Sequence, residues 1–320
     1  MNMFITGIDG FIGSHLAEYL LQNNENVWGL IRHDSASRNI VAIETMLNLI
    51  EGDLLELDAL QSIIKSVKPK VLIHLAGQTL GKIAMQNPHQ TMQTNILGTL
   101  NILEAVRKNS PDTKIIIGTS CDIHEKEFSS GKPIYEETPL APDSPLAASH
   151  ASSAIIAREY AKTYKMDIVI ARILALIGPR QSKRYVVSEY ANKICKAKLG
   201  RTEKKIKVGK LTAKRDFLDV RDAARVIYML SGKTKHGRYT ICSGRQYKLR
   251  ELLDKLMEIA GESFPIEVTT DRIRNVDVPT LVGDPSRLKE EFQFEPEISI
   301  EESLFDIYRY WYNRLERNDF

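Results

Sequence analysis

Three glycines that follow the first apolar run constrain this chain more than any other feature. The stretch "ITGIDGFIGSHL" places Gly7, Gly10 and Gly13 between a predicted strand, residues 2–6, and a predicted helix, residues 13–22. Glycine is needed where such a turn is tight, where backbone approaches a pyrophosphate, and where the helix packs on the strand. The free N–H groups at the start of the helix attract phosphate. The sequence therefore predicts a dinucleotide-binding loop.

Apolar strand-like runs then alternate with helical patterns through the first half of the chain. Further strands are predicted at 26–31, 47–52, 70–76, 113–120 and 166–172, and further helices at 57–67, 91–108 and 146–164. Strands separated by helices at this spacing predict an α/β fold with a doubly wound, Rossmann-like parallel sheet. The nearly continuous apolar character of the later strands fits strands that are covered on both faces.

The regularity loosens beyond residue 173, where short strands and turns predominate and no Pro/Ser/Gly-rich linker intervenes. This pattern predicts a smaller, discontinuous C-terminal lobe that binds substrate. We expect the dinucleotide-binding domain to comprise residues 1–172 plus about 215–242, and the lobe to comprise about 173–214 and 243–320.

Composition excludes several other classes of protein. The 320 residues carry a net charge of only +3, and the basic stretch "RTEKKIKVGK" at 201–210 is too small a cluster for a nucleic-acid surface. No apolar run approaches the roughly 20 residues of a membrane span. The three cysteines are widely spaced and suggest neither disulfides nor a metal site. We expect a cytoplasmic protein that binds no nucleic acid, no membrane and no metal.

The GxxGxxG spacing resembles that of short-chain dehydrogenases/reductases, and three later segments extend the likeness: "GDL" at 52–54, "HLAG" at 74–77 and "TNILGTLNILEA" at 94–105. The resemblance implies a nicotinamide dinucleotide cofactor and a homodimer formed through helices 91–108 and 146–164. The cofactor contacts that it implies are Gly7, Gly10, Phe11, Ile12, Gly13, Asp53, Leu54, Leu75, Ala76 and Asn95.

Two C-terminal segments resemble the extended, sugar-nucleotide-modifying branch of that family: "RDFLDVRDAARV" at 215–226 and the stretch 277–304. Within the branch, the chain is most similar to GDP-4-keto-6-deoxy-mannose reductases and GDP-mannose 4,6-dehydratases. The likeness implies a nucleotide-linked sugar substrate carrying GDP. It also implies that Arg215, Arg272 and Arg274 hold the diphosphate or the base, because guanidinium groups bind phosphate oxygens in a fork.

The end of the second strand bears on the choice of nicotinamide cofactor. An acidic residue there normally binds a free 2′-hydroxyl, whereas arginine accommodates a 2′-phosphate. This chain has "RHDSASR" at 32–38, with Arg32 and Arg38, which is similar to the basic, serine-rich loop of NADP-using relatives. We expect NADP, and Asp34 leaves NAD possible.

The expected proton-transfer pair is missing. The family pattern "SPYxxSK" aligns without gaps on "SPLAASH", which puts Leu146 in place of tyrosine and His150 in place of lysine. The i and i+4 positions share a helix face, so the spacing has a structural reason. None of the twelve tyrosines is followed by lysine at the fourth position. The motif is therefore absent, and Ala175 also stands where relatives carry asparagine.

Other side chains near the expected site are candidates for the lost chemistry. Ser120, in "GTSCDIH", matches the serine that orients the substrate oxygen in relatives. Asp122 stands in place of a glutamate base, and His124 carries an imidazole that titrates near neutral pH. His150 retains the ability to hydrogen-bond the nicotinamide ribose.

Two hypotheses follow. The first is an enzyme that modifies a nucleotide-linked sugar, as a 4-keto reductase, dehydratase or epimerase, with relocated acid–base groups. The second is a cofactor-binding pseudoenzyme or regulatory subunit, because three polar positions are replaced together. We favour the enzyme, since the cofactor loop and Ser120 remain.

Overall fold

The computed structural model describes residues 1–33, 39–124, 131–233, 236–269 and 280–317. Within them, seven strands form one sheet in the order β10-β6-β5-β4-β1-β2-β3. The strands are β1 (Asn2–Thr6), β2 (Asn26–Ile31), β3 (Asn48–Glu51), β4 (Val71–His74), β5 (Lys114–Ser120), β6 (Ile168–Ile173) and β10 (Gly237–Ile241). Every neighbouring pair is parallel. The predicted doubly wound α/β fold is confirmed. The order in which strands are added to the sheet reverses between β1 and β4, because β2 and β3 lie on one side of β1 and β4 lies on the other.

Helices cover both faces of this sheet. They are α1 (Phe11–Gln22), α2 (Leu57–Val67), α3 (Gly81–Gln86), α4 (Pro88–Met92), α5 (Gly98–Asn109), α6 (Pro145–Tyr164) and α8 (Val220–Lys233). The helix predicted over 91–108 is interrupted, because a π-helical turn over Gln93–Leu97 joins α4 to α5. Single π-helical turns of this kind recur at functional sites.

Most of the remaining elements form the smaller lobe. Its strands are β7 (Ala175–Ile177), β8 (Ile206–Val208), β9 (Lys214–Asp219), β11 (Gln246–Lys248), β12 (Ile266–Val268) and β13 (Thr280–Leu281), and its helices are α7 (Val186–Lys198), α9 (Leu249–Ala260) and α11 (Ile300–Glu316). Helix α10 (Ser286–Phe292) packs instead in the apolar core of the large sheet. Strand β9 pairs with β7, β11 and β13. A separate apolar core lies between α7, α9 and α11.

The chain crosses back to the large sheet directly after β9. Helix α8 packs in the same apolar core as α1, and β10 pairs with β6. We therefore propose that the second dinucleotide-binding segment begins at Val220 rather than at about 215, because β9 belongs to the smaller sheet. The division of the whole chain into domains stays a prediction.

In the parts of the chain that the structure describes, no helix is both long and apolar enough to traverse a lipid bilayer.

Candidate functional site

A cavity of about 350 Å³ lies at the carboxyl ends of β4 and β5, beside the start of α1. Ligands of open parallel sheets bind at this edge, at the point where the winding reverses. The lining comes from both lobes. From the large sheet it includes Phe11, Ile12, His74, Leu75, Ala76, Thr79, Asn95, Ser120, Asp122, Leu146 and His150, and from the smaller lobe Ala175, Gln181, Tyr185, Arg215 and Leu281.

The glycine loop between β1 and α1 is built from backbone packed too closely for side chains. Gly7 has a φ of +72°, and a Cβ there would lie 2.8 Å from the Ala76 nitrogen. A Cβ on Gly13 would lie 2.1 Å from the Gly7 carbonyl oxygen. Gly10 precedes α1, and no side chain among the described residues caps the helix start. The loop therefore offers backbone N–H groups at a surface shaped by glycine, which fits a pyrophosphate.

Asn95 lies in the π-helical turn and holds the loop after β4. Its Oδ1 accepts a hydrogen bond from the Gln78 nitrogen at 2.7 Å, and its Nδ2 donates to the Gln78 oxygen and to Ser149 Oγ. Both polar ends of the amide are therefore engaged within the protein. Asn95 shapes the cavity wall by positioning this loop.

The other predicted cofactor residues lie outside the cavity lining. Arg32 directly follows β2 and is exposed. Asp53 follows β3, where its Oδ1 accepts a hydrogen bond from the Leu55 nitrogen at 2.9 Å. The Leu54 side chain is buried, and its carbonyl accepts from Asn101 Nδ2. Three predicted arginines, Arg38, Arg272 and Arg274, lie outside the described residues.

Helix α6 brings the two substituted positions to the cavity. Ser144 caps the helix by accepting from the Ala147 nitrogen at 3.2 Å, and Pro145 occupies the first turn. Leu146 and His150 both line the cavity, one turn apart. Burial lowers the pKa of His150, although the Asp122 carboxylate opposes this. The imidazole is therefore neutral at neutral pH and does not replace the positive charge of a lysine.

The end of β5 presents a hydroxyl and a carboxylate. The Asp122 backbone N–H donates to Ser120 Oγ at 3.2 Å, and both side chains line the cavity. Cys121 lies between these two residues in the chain, and burial raises the pKa of its thiol well above the usual value. Cys121 is therefore protonated and is no nucleophile.

His124, the third predicted acid–base candidate, does not reach the cavity. Its side chain is fully buried, and its Nδ1 lies 2.6 Å from the Pro139 oxygen. Burial lowers the pKa of His124 to about 4. We therefore correct the expectation that His124 transfers protons at this site: the side chains of Ile123 and His124 are fully buried, and neither lines the cavity.

Two titratable side chains in the cavity lining, those of Tyr185 and His74, were missed by the sequence reasoning. Tyr185, just before α7, has its Oη 2.8 Å from Thr79 Oγ1. His74 at the end of β4 is buried between Thr6 and Thr99, and burial lowers its pKa to about 4. The spacing between a tyrosine and a lysine on one helix carries no information about a tyrosine in another segment.

Arg215 is the predicted substrate arginine that the structure brings to the cavity. It is half-buried on β9, and its Nη1 donates to the Lys214 oxygen at 2.7 Å. Ala175, on the neighbouring strand β7, also lines the cavity. The smaller lobe thus contributes a cation and apolar surface to a cavity whose other wall is the end of the large sheet.

The parallel sheet, the glycine loop and the cavity at its winding reversal define a Rossmann-type protein of the short-chain dehydrogenase/reductase class. A model of the GDP-mannose 4,6 dehydratase family matches residues 4–307. The chain belongs to this family, as the sequence resemblance predicted.

Individual relatives match over almost the whole chain. The GDP-6-deoxy-D-mannose reductase of Pseudomonas aeruginosa is 31% identical over 314 residues, which cover 98% of each protein. The GDP-mannose 4,6-dehydratase of Yersinia enterocolitica is 27% identical, covering 95% of this chain and 91% of that protein. The solved structure of RMD from Pseudomonas aeruginosa complexed with NADPH superposes with a TM-score of 0.84, at 30% identity, over 98% of this chain and 99% of that chain.

Proposed function

We propose that this protein uses NADPH to reduce the keto group of a GDP-linked deoxysugar, as a 4-keto reductase. The observation that carries the proposal is the cavity itself, which brings together the start of α1 directly after the glycine loop, Ser120 and Arg215 at one edge of the sheet. The GDP-6-deoxy-D-mannose reductase that matches the chain from end to end supports the same substrate class.

The cavity suits reduction better than dehydration. Reduction adds one hydride and one proton, whereas removal of water also needs a base at one carbon and an acid at the next. The titratable side chains in the described lining are His74, Cys121, Asp122, His150, Tyr185 and Arg215. Burial keeps both histidines neutral and the thiol protonated. We therefore favour the reaction that makes the smallest demand on acid–base groups.

The loop residues would hold the cofactor at its pyrophosphate, through the N–H groups at the start of α1. Leu75 and Ala76 would contact the nicotinamide end, and Arg32 would bind the 2′-phosphate that distinguishes NADP. The bound dinucleotide supplies the hydride. Ser120 would donate a hydrogen bond to the substrate oxygen, and Arg215 would bind the diphosphate.

We further propose a homodimer formed on the outer faces of the π-helical turn and α6. Leu97 and Ile155 are 42% and 41% exposed there, which suits burial against a second copy. Leu103, Ala154 and Ala157 instead pack within the subunit core. An Ile155→Glu variant should sediment as a monomer at a concentration where the unmodified protein is a dimer, and a monomeric unmodified protein would contradict the proposal.

One observation favours a second candidate, a cofactor-binding pseudoenzyme. Leu146 carries no exchangeable proton, and His150 is neutral, so the helix α6 wall offers neither part of the expected proton-transfer pair. In that case the cavity would bind cofactor and nucleotide without turnover.

Absorbance of NADPH at 340 nm distinguishes the two candidates. The protein is mixed with NADPH and a panel of GDP-, CDP-, UDP- and dTDP-linked 4-keto sugars, with GDP-mannose as the control that lacks the keto group. We expect NADPH to be oxidised only in the presence of the GDP-linked keto sugar. When NADH is supplied in place of NADPH, we expect NADH to be oxidised more slowly. Binding of both ligands without oxidation of NADPH would support the pseudoenzyme.

A further inference from the structure

The reduction proposed above needs a proton donor, and helix α6 does not supply one. Among the described residues that line the cavity, Tyr185 is the one tyrosine. We infer that Tyr185 is the proton donor of the reduction, so that this role has moved from α6 to the start of α7. The inference rests on the proposed function and concerns which side chain completes it.

The local structure holds Tyr185 in place. Its backbone nitrogen donates to the Ser182 oxygen at 3.0 Å, and its carbonyl accepts from the Glu189 nitrogen in the first turn of α7. The phenol oxygen lies 2.8 Å from Thr79 Oγ1, on the loop after β4. The hydroxyl is therefore fixed between the smaller lobe and the edge of the large sheet, where the predicted nicotinamide contacts Leu75 and Ala76 also lie.

A second side chain of the same segment indicates that polar ligand atoms reach this wall. Gln181 is 4% exposed and lines the cavity, and its Nε2 donates to the Leu176 oxygen at 2.7 Å. Its Oε1 is buried and has no hydrogen-bond partner in the described part of the chain. Buried acceptors are rarely left unpaired, so a donor on the bound ligand, such as a sugar hydroxyl, is the expected partner.

The environment of Tyr185 keeps its hydroxyl protonated until the reaction occurs. Burial raises the pKa of Tyr185 most strongly, the Thr79 hydrogen bond opposes this, and the nearby Asp122 and Arg184 have smaller effects that raise and lower it respectively. The phenol therefore stays protonated at neutral pH. The competing groups are less suitable: an ionised carboxylate accepts but does not donate, and a neutral imidazole at His150 donates only a weakly acidic N–H.

The proposed step balances as a ketone reduction. The carbonyl carbon gains a hydride from NADPH, which becomes NADP⁺, and the C=O π electron pair moves onto the oxygen. That oxygen takes the proton from Tyr185 Oη and becomes a hydroxyl. The Tyr185 phenolate then regains one proton from solvent, with Thr79 Oγ1 as the nearest hydroxyl to relay it.

The test compares Tyr185→Phe with Tyr190→Phe. Tyr190 is a buried tyrosine on α7 that packs in the smaller-lobe core and is absent from the cavity lining. Loss of a general acid typically lowers a rate by about 10² to 10⁴, so we expect kcat to fall at least about 100-fold in Tyr185→Phe and less than about threefold in Tyr190→Phe. The affinity for NADPH, measured by calorimetry, should be unchanged in both variants.

Two further readouts separate proton donation from packing. In the unmodified protein kcat should fall at high pH as Tyr185 ionises, and this limb should disappear from the residual activity of Tyr185→Phe. With ¹³Cζ-labelled tyrosine, the resonance missing from Tyr185→Phe should shift when GDP-mannose joins the NADP⁺ complex, and the Tyr190 resonance should not.

The failures are distinguishable. A Tyr185→Phe variant that keeps kcat within about threefold, in a protein that reduces the keto sugar, overturns the inference and leaves the proposed function standing. A Tyr185 resonance whose chemical shift does not change when GDP-mannose is added also overturns the inference. Unmodified protein that never oxidises NADPH overturns the proposed function, and the proton-donor role of Tyr185 falls with it.

Discussion

The glycine loop before α1 and the first two turns of α6 lie at the same edge of the sheet but depend on sequence in different ways. In the loop, backbone atoms form the surface proposed to bind the pyrophosphate, and a Cβ on Gly13 would lie 2.1 Å from a carbonyl oxygen. On α6, side chains form the surface, and Leu146 and His150 both line the cavity from a helix that Ser144 caps. Chemistry carried by side chains can therefore be exchanged where a backbone-built site cannot.

Gly13→Ala should have the largest effect. The added methyl group must displace the Gly7 carbonyl or Ile8, so we expect dinucleotide binding to fall at least about 100-fold and unfolding free energy to drop by about 1–3 kcal/mol. Calorimetric titration and urea unfolding measure the two effects. Gly232→Ala is the matched control, since a Cβ there meets nothing within 4 Å and the helix should gain up to about 1 kcal/mol. Unchanged binding in Gly13→Ala would refute the backbone-built site.

Ser120→Ala tests the side-chain half of the comparison. Because Ser120 lines the cavity and its hydroxyl is proposed to donate to the substrate oxygen, loss of this hydroxyl should lower kcat by about 10²-fold, as for other groups that stabilise a developing oxyanion. Ser120→Thr keeps the hydroxyl and should retain most of the activity. Equal rates in Ser120→Ala and the unmodified protein would show that the substrate oxygen lies elsewhere.

Arg215→Ala should weaken binding of the sugar nucleotide without affecting the dinucleotide. We expect roughly a tenfold to 100-fold loss of affinity for GDP-mannose, corresponding to about 1.5–3 kcal/mol for a charge-assisted contact. Lys214→Ala is the control, because adjacent strand residues point to opposite faces and Lys214 is exposed. An equal loss in both variants would indicate a general charge effect instead of a contact in the cavity.

His124→Gln should have the smallest effect on turnover, less than about threefold. Its effect should instead appear in stability, because burial lowers the pKa of His124 from 6.5 to about 4. As the pH falls below 6.5, His124 binds a proton in the unfolded state, whereas in the folded state it does not bind one until about pH 4. Stability is therefore lost across that window, by about 2 kcal/mol between pH 7 and pH 5. In urea unfolding, the free energy of unfolding of His124→Gln should decrease less between pH 7 and pH 5 than that of the unmodified protein. A large fall in kcat in this variant would instead indicate that His124 acts in the site.

Much of the fold could be predicted because its signals are local. The bounds of β1, β2 and α2 coincide with the predicted apolar runs, since each run alternates cleanly with turn residues. The interruption of the helix at Gln93–Leu97 was not predictable. It depends on Asn95, whose side chain and carbonyl bond to Gln78 and Ser153 in distant segments, and no local pattern encodes such bonds.

The candidate site was predictable only where strand ends and aligned motifs define it. Ser120, Leu146 and His150 reach the cavity because the carboxyl ends of parallel strands meet at one edge and α6 keeps its register. His124 was misplaced because the direction of a loop after a strand is a tertiary property. Tyr185 was missed because it comes from the smaller lobe, where the period of the sequence is weak.

The central claim is that the proton-transfer site has moved rather than disappeared, and the double variant Leu146→Tyr/His150→Lys tests it most directly. The measurement is the single-turnover rate of NADPH oxidation with the GDP-linked keto sugar, compared between the double variant and the unmodified protein. A triple variant that adds Ala175→Asn is a further control for the pose of the sugar. We predict that the unmodified protein turns over and that the double variant changes its rate by less than about tenfold, because Tyr185 already donates the proton. If the unmodified protein does not oxidise NADPH but the double variant, or the triple variant that adds Ala175→Asn, does, the account is contradicted and the protein is a pseudoenzyme.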